Sequence, residues 1–154
     1  MAKCITKSLI NIQKFDVYDV AKNYVKWFDT GDLRGIGMTC ERALLCLKQG
    51  MSPLESGFKR KGRAKPSFKR IGTAPEESLT LAGDYCGNGT VMRCAPIGLF
   101  FRNNLKELER AAKEDANITH NHPDARDASY ALCYMVACLE MVKIKLLLLK
   151  IRCN

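Results

Sequence analysis

Two short stretches of this chain carry residue types able to do chemistry. In the first, Gly87-Asn88-Gly89-Thr90 is followed by Met92-Arg93 and an apolar run beginning at Ala95. Glycines on either side of an asparagine let backbone N–H groups converge on an anion, because no Cβ blocks the approach and both residue types reach positive φ at little cost. A diphosphate suits such a loop, with Asn88 and Thr90 adding side-chain donors. Arg93 adds either charge toward a ligand or an ion pair with a nearby carboxylate such as Asp84. A plain turn ahead of a buried helix explains the same residues and is the simpler account on composition alone.

In the second stretch, Thr119-His120-Asn121-His122-Pro123-Asp124, the chain's two histidines stand one residue apart at a helix entrance. Such a pair can bind a metal, exchange protons, or donate to a phosphate or a ribose hydroxyl. Alternatively, Thr119 and Asp124 serve as local caps while the imidazoles fill hydrogen-bonding positions at the helix start.

The elements that hold these stretches read as helices. Val17, Val20, Ala21, Tyr24, Val25 and Phe28 follow one face of a helix, with Asp16 as N-cap and Gly31 as terminator. Met1, Ile5, Leu9 and Ile12 predict an amphipathic helix that starts at the first residue without a cap. Thr39 is placed to cap a third, carrying Ala43, Leu44 and Leu47 and stopped by Gly50. Asn104 caps a fourth through Leu105, Leu108, Ala111 and Ala112. Asp124 caps a longer one through Ala128, Ala131, Leu132, Met135, Leu139 and Val142. Residues 52–78 show no periodicity and read as loop, and 143–154 form a basic C-terminal tail continuing the last helix. With no period-2 run and no internal repeat, the expectation is one all-α domain over residues 1–154 with a long basic loop.

Composition narrows the partners. The formal charge is +9, and Lys59 to Arg70 alone holds seven basic residues and no acidic one. A nucleic-acid contact or a nuclear address through 59–70 is conceivable on charge, but only Phe68 is interleaved as an aromatic, and a solvated loop is the stronger reading. Eight cysteines include no CxxC pair, which argues against structural zinc. Lys3 and Lys7 interrupt the first apolar residues, so no signal peptide is expected. The uncharged stretch Ser129 to Leu139 falls short of the ~20 residues a membrane span needs. These features predict an intracellular, cytoplasmic protein with reduced thiols and no membrane span.

Both stretches in this order, with Gly31-Asp32-Leu33-Arg34-Gly35-Ile36-Gly37-Met38-Thr39 ahead of them, make the chain resemble the ADP-ribosylglycohydrolase family from Met1 to about Leu139. GNGTVMRCAPIGL is similar to that family's Gly-rich, Met-Arg-containing loop, and THNHPDA to its Thr-His-x-His-Pro segment. The resemblance implies an all-α fold that binds ADP-ribose beside a pair of divalent ions, usually magnesium. It further implies hydrolysis of the glycosidic bond joining ADP-ribose to a protein side chain, with a metal-activated water. By the same likeness Gly87, Asn88, Gly89, Thr90 and Met92 line the ribose-diphosphate region and His120 contacts the same ligand, with His122 as a looser correspondence.

The sequence also departs from that pattern. The family's acidic motifs, Thr-Asp-Asp-Thr ahead of the first helix and Asp-x-Asp-Thr near the C-terminus, are not in it. MAKCITKSLI resembles the helix that follows the first motif, so the chain is expected to begin just downstream of those ligands. Hard divalent cations need several oxygen ligands, and Asp84, Asp124 and Asp127 form no recognisable cluster. Magnesium is therefore expected from the family without ligands in this chain, and a completing chain or a homo-oligomer becomes an expected partner. The alternatives to an enzyme are an inactive ADP-ribose-binding module and a decayed fragment of a larger fold.

Overall fold

The computed structural model describes residues 1–33, 35–57 and 87–152, with 146–152 described by backbone alone. The basic segment 59–70, Asp84 and the part of the expected loop 52–78 beyond Gly57 lie outside these residues. The described chain is all-α, with six helices: α1 (Ala2–Ile12), α2 (Val17–Phe28), α3 (Met38–Lys48), α4 (Ala95–Phe100), α5 (Leu105–Thr119) and α6 (Pro123–Arg152). None among the described residues is long and apolar enough to cross a membrane.

Local chemistry accounts for most boundaries. Asp16 accepts hydrogen bonds from the amides of Tyr18 and Asp19 at 2.9 and 3.1 Å, satisfying two donors that the first turn of α2 leaves open. Asn104 does the same for Glu107 at the start of α5. The first helix begins with Met1 at the cap position and no side-chain cap bond, as its sequence predicts. Two expected caps are displaced. At α3 the cap is Gly37, whose extended backbone lets its carbonyl accept from the Glu41 amide, and Thr39 falls inside the first turn. At α6 the helix starts at Pro123, whose missing N–H costs nothing there. His122 takes the capping role expected of Asp124: its carbonyl accepts from the Arg126 amide and its Nδ1 from the Asp124 amide.

The core gathers Ile5 and Leu9 of α1, Val20 and Tyr24 of α2, Leu44 of α3, Ile97 of α4 and Leu108 and Ile118 around α5. Large apolar side chains of this kind contribute about 1.5–3 kcal/mol each on full burial. Helix α6 lies along α5 and α4, while α2 and α3 both reach α5. Of its expected inward face, Leu132 is half-buried and packs against the core, and the rest of the face is displaced. Ala125, Ser129, Cys133 and Ala137 are buried, whereas Ala128, Ala131, Met135, Leu139 and Val142 point outward. The reason is the tightness of the α4 contact: a Cβ built on Gly98 would lie 2.5 Å from the Cys133 carbonyl oxygen and 3.0 Å from its Cα. At that separation only small side chains fit between the helices, and the larger ones turn away. The backbone of α6 then continues unbroken through the expected tail as far as Arg152.

Candidate functional site

The loop ahead of α4 is built from two tight turns. The Met92 amide donates to the Asn88 carbonyl at 3.1 Å and the Arg93 amide to the Thr90 carbonyl at 3.2 Å. No backbone acceptor among the described residues takes the amides of Gly89, Thr90 or Val91. Gly89 does not use the positive φ that its residue type allows; what requires it is a close approach. A Cβ there would lie 3.1 Å from both the Cys40 sulfur and His120 Cε1, and one on Gly87 would lie 3.0 Å from His120 Nε2. The bare backbone therefore lets an imidazole edge in beneath the loop.

The two chemical stretches singled out in the sequence meet at this point, together with Cys40, the residue that follows the third. The 31–39 segment turns through Gly31 and Gly35, both at positive φ, and delivers Cys40 on α3 to the underside of Gly89. The 87–93 loop lies above, and Thr119-His120 arrives from the end of α5. Segment 52–57 seals the far side: Ser56 donates to the Ile118 carbonyl at 2.7 Å, and Gly57 accepts from the Asn121 amide at 3.0 Å.

Beneath the loop runs a buried polar network. Arg93, only 3% exposed, donates through Nε to Asp115 Oδ2 at 2.9 Å, through one terminal nitrogen to the Asp115 carbonyl at 2.8 Å, and through the other to Thr119 Oγ1 at 2.8 Å. Tyr24 donates to the other Asp115 carboxylate oxygen at 2.6 Å, and its ring lies 5.3 Å below the guanidinium carbon. Thr119 Oγ1 in turn is 2.8 Å from His120 Nδ1. Arg93 is thus committed to Asp115 inside the protein, and among the described residues it gives no charge to the loop's outer face.

Burial sets the protonation states. His120 is pushed down to about 4, first by desolvation and then by the Arg93 charge, so it is neutral at pH 7. The Cys40 thiol is pushed up by burial against the opposing pull of Arg93, and Tyr24 is raised well above its ordinary value by burial. For Arg93, burial disfavours the cation, but the Asp115 carboxylate outweighs it and the guanidinium stays charged.

The expected site residues fall into three groups. Gly87 and Asn88 are exposed, Met92 is 75% exposed, and Gly89 is half-buried between them and His120, so these can face a ligand. Thr90 is fully buried and its hydroxyl donates to the Ala125 carbonyl at 3.3 Å, tying the loop to the first turn of α6. His122 is occupied as the α6 cap, at the far end of the Thr119-Pro123 stretch from the loop glycines. Sequence reasoning placed Tyr24 on the apolar face of α2 and gave neither it nor Cys40 or Asp115 a place at the site. A signal for Asp115 was available: it continues the buried stripe Leu108, Ala111, Ala112, and a carboxylate on an apolar helix face calls for a buried cation. Among the described residues no group of three or more His, Cys, Asp and Glu is placed to hold a metal ion, so they do not fit a divalent centre.

Comparison with known proteins agrees with the motif reading. The chain is 28% identical over 136 residues to the ADP-ribosyl-[dinitrogen reductase] glycohydrolase of Rhodospirillum rubrum, covering 88% of this chain and 38% of that protein. It is 25% identical over 134 residues to an uncharacterized protein of Archaeoglobus fulgidus, covering 87% of this chain and 36% of the other. The chain thus spans little more than a third of the length of these curated relatives. No solved structure matches it. Residues 1–150 match the family model for ADP-ribosylglycohydrolase, and with its helical architecture and converging motifs the chain belongs to the ADP-ribosylglycohydrolase family.

Proposed function

We propose that this chain provides an ADP-ribose-binding site of a glycohydrolase acting on the bond between ADP-ribose and a protein side chain. The observation that carries the proposal is the meeting of His120 with Gly87 and Gly89, which sets a neutral imidazole against a loop whose early amides have no backbone partner among the described residues. Such a surface offers several uncharged N–H donors to the oxygens of a diphosphate or a ribose. Asn88 adds an exposed side-chain donor and Met92 an exposed apolar contact. In this reading Thr90 and Arg93 shape the loop from below, and His122 shapes the helix entrance.

The choice of substrate rests on family membership and on the name of the R. rubrum relative, which places ADP-ribose on a protein. Magnesium, which the family resemblance implies, finds no ligand cluster among the described residues. The proposal therefore assigns this chain the binding and orientation of ADP-ribose and routes no bond-breaking step through its residues. Titration calorimetry with ADP-ribose tests it: saturable binding is expected, weakened about tenfold by Asn88→Ala through loss of one or two hydrogen bonds. Absence of binding at millimolar ligand would overturn it. Release of ADP-ribose from an ADP-ribosylated arginine or serine peptide, with magnesium and with a chelator, separates the two forms of the reading. Chelator-sensitive release supports hydrolysis, and binding without release leaves a binding module.

A further inference from the structure

We infer that Arg93 and Thr119 are positioning residues that hold His120 in the tautomer with its proton on Nε2, so that the ring presents a fixed N–H donor to the Gly87–Gly89 loop. The inference concerns the same site as the binding proposal and names the chemistry His120 offers there: a donor to an oxygen acceptor and no proton-accepting nitrogen.

The argument is an accounting of one hydroxyl. Thr119 Oγ1 has one proton to give and two lone pairs. Arg93 has only donors, so its 2.8 Å contact fills one lone pair. One side-chain neighbour of the hydroxyl remains among the described residues, His120 Nδ1 at 2.8 Å. If Thr119 donates to Nδ1, its proton and the lone pair facing Arg93 are both used. In the reverse arrangement, Nδ1–H donates to Thr119 and the hydroxyl proton is left with no hydrogen-bonded acceptor among the described residues. That arrangement also aims the positive end of the imidazole dipole toward the Arg93 cation. A hydroxyl accepting from a cation is moreover polarised toward donating. Both effects select the first arrangement, leaving the ring proton on Nε2, the atom that lies 3.0 Å from a Cβ built on Gly87. Asp115 and Tyr24 complete the relay by fixing the guanidinium from its other side.

Long-range 1H–15N spectra of the full chain test this directly, because only two histidines are present and His122→Asn assigns the other. The expected spectrum near pH 7 has a pyridine-like Nδ1 and a pyrrole-like Nε2 for His120; the opposite pattern overturns the inference. Thr119→Ser, which keeps the hydroxyl, should preserve the pattern, and Thr119→Val should lower the Nε2–H to Nδ1–H ratio roughly fivefold or more, the equivalent of one hydrogen bond. An unchanged ratio in Thr119→Val overturns the relay. Should that variant not fold, the wild-type Thr119 hydroxyl proton decides: scalar coupling to His120 Nδ1 supports the relay, and its absence refutes it. Adding ADP-ribose distinguishes this inference from the binding proposal. If the tautomer is as stated but the Nε2–H resonance does not move at saturating ADP-ribose, the ligand reading fails and the relay stands.

Discussion

Replacing Asp115 by alanine probes the network on which the site is built. Asp115 is fully buried; its carboxylate takes one bond from Arg93 Nε at 2.9 Å and one from the Tyr24 hydroxyl at 2.6 Å. Removing it leaves the Arg93 cation, 3% exposed, with a backbone carbonyl, the Thr119 hydroxyl, the Cys40 sulfur and an aromatic face but no counter-charge. Breaking a buried pair from one side costs about 3–5 kcal/mol, because the remaining charge keeps its desolvation penalty. That is a large share of the ~5–15 kcal/mol by which domains are held folded. At a urea m-value of about 2 kcal/mol/M, the unfolding midpoint followed by circular dichroism should fall by roughly 2 M. Removing both charges together, with Arg93→Met and Asp115→Leu, should cost less than Asp115→Ala alone, since no orphaned charge remains. If Asp115→Ala costs under about 1 kcal/mol, or the double variant costs the sum of its singles, the pair is not the buried, coupled unit described here.

The His120 pKa makes stability depend on pH with a definite sign. The folded value near 4 lies below the ordinary 6.5, so between these values the unfolded chain holds the proton and the folded one does not. The resulting penalty is absent above pH 6.5 and grows to about 3 kcal/mol as pH falls to 4. Urea midpoints at pH 7.5 and 4.5 should therefore fall further for the native chain than for His120→Gln, and equal falls would refute the assignment. Gly98→Ala should destabilise by about 2 kcal/mol in the same assay. The ~1 kcal/mol that alanine gains over glycine in a helix is outweighed by a Cβ 2.5 Å from the Cys133 carbonyl oxygen, and a stabilised variant would show that α4 does not sit so close to α6. Asp16→Ala should cost about 1 kcal/mol through loss of the α2 cap, whereas Asp124→Ala should cost less, because His122 occupies the cap of α6 and Asp124 contributes its first-turn charge instead of a cap.

What the sequence determined by itself was local. The apolar spacing from Val17 to Phe28 and the caps at Asp16 and Asn104 depend on residues within a few positions of one another, and those elements form where the spacing places them. The two chemical stretches were likewise visible as residue types, and the family could be read from their order. Three matters needed the tertiary structure. The inward face of α6 was decided by the approach of Gly98 to Cys133, a contact between helices that begin 28 residues apart in the chain. The partner of Arg93 was a choice among carboxylates, and Asp115 won because α5 brings it to the same buried point as Tyr24. The reason for the glycines at 87 and 89 lay in a ring contributed from more than 30 residues away. Periodicity reports which face of an element is apolar; only packing decides what that face meets, and whether an uncharged loop lies over a hydrogen-bonded imidazole or over nothing.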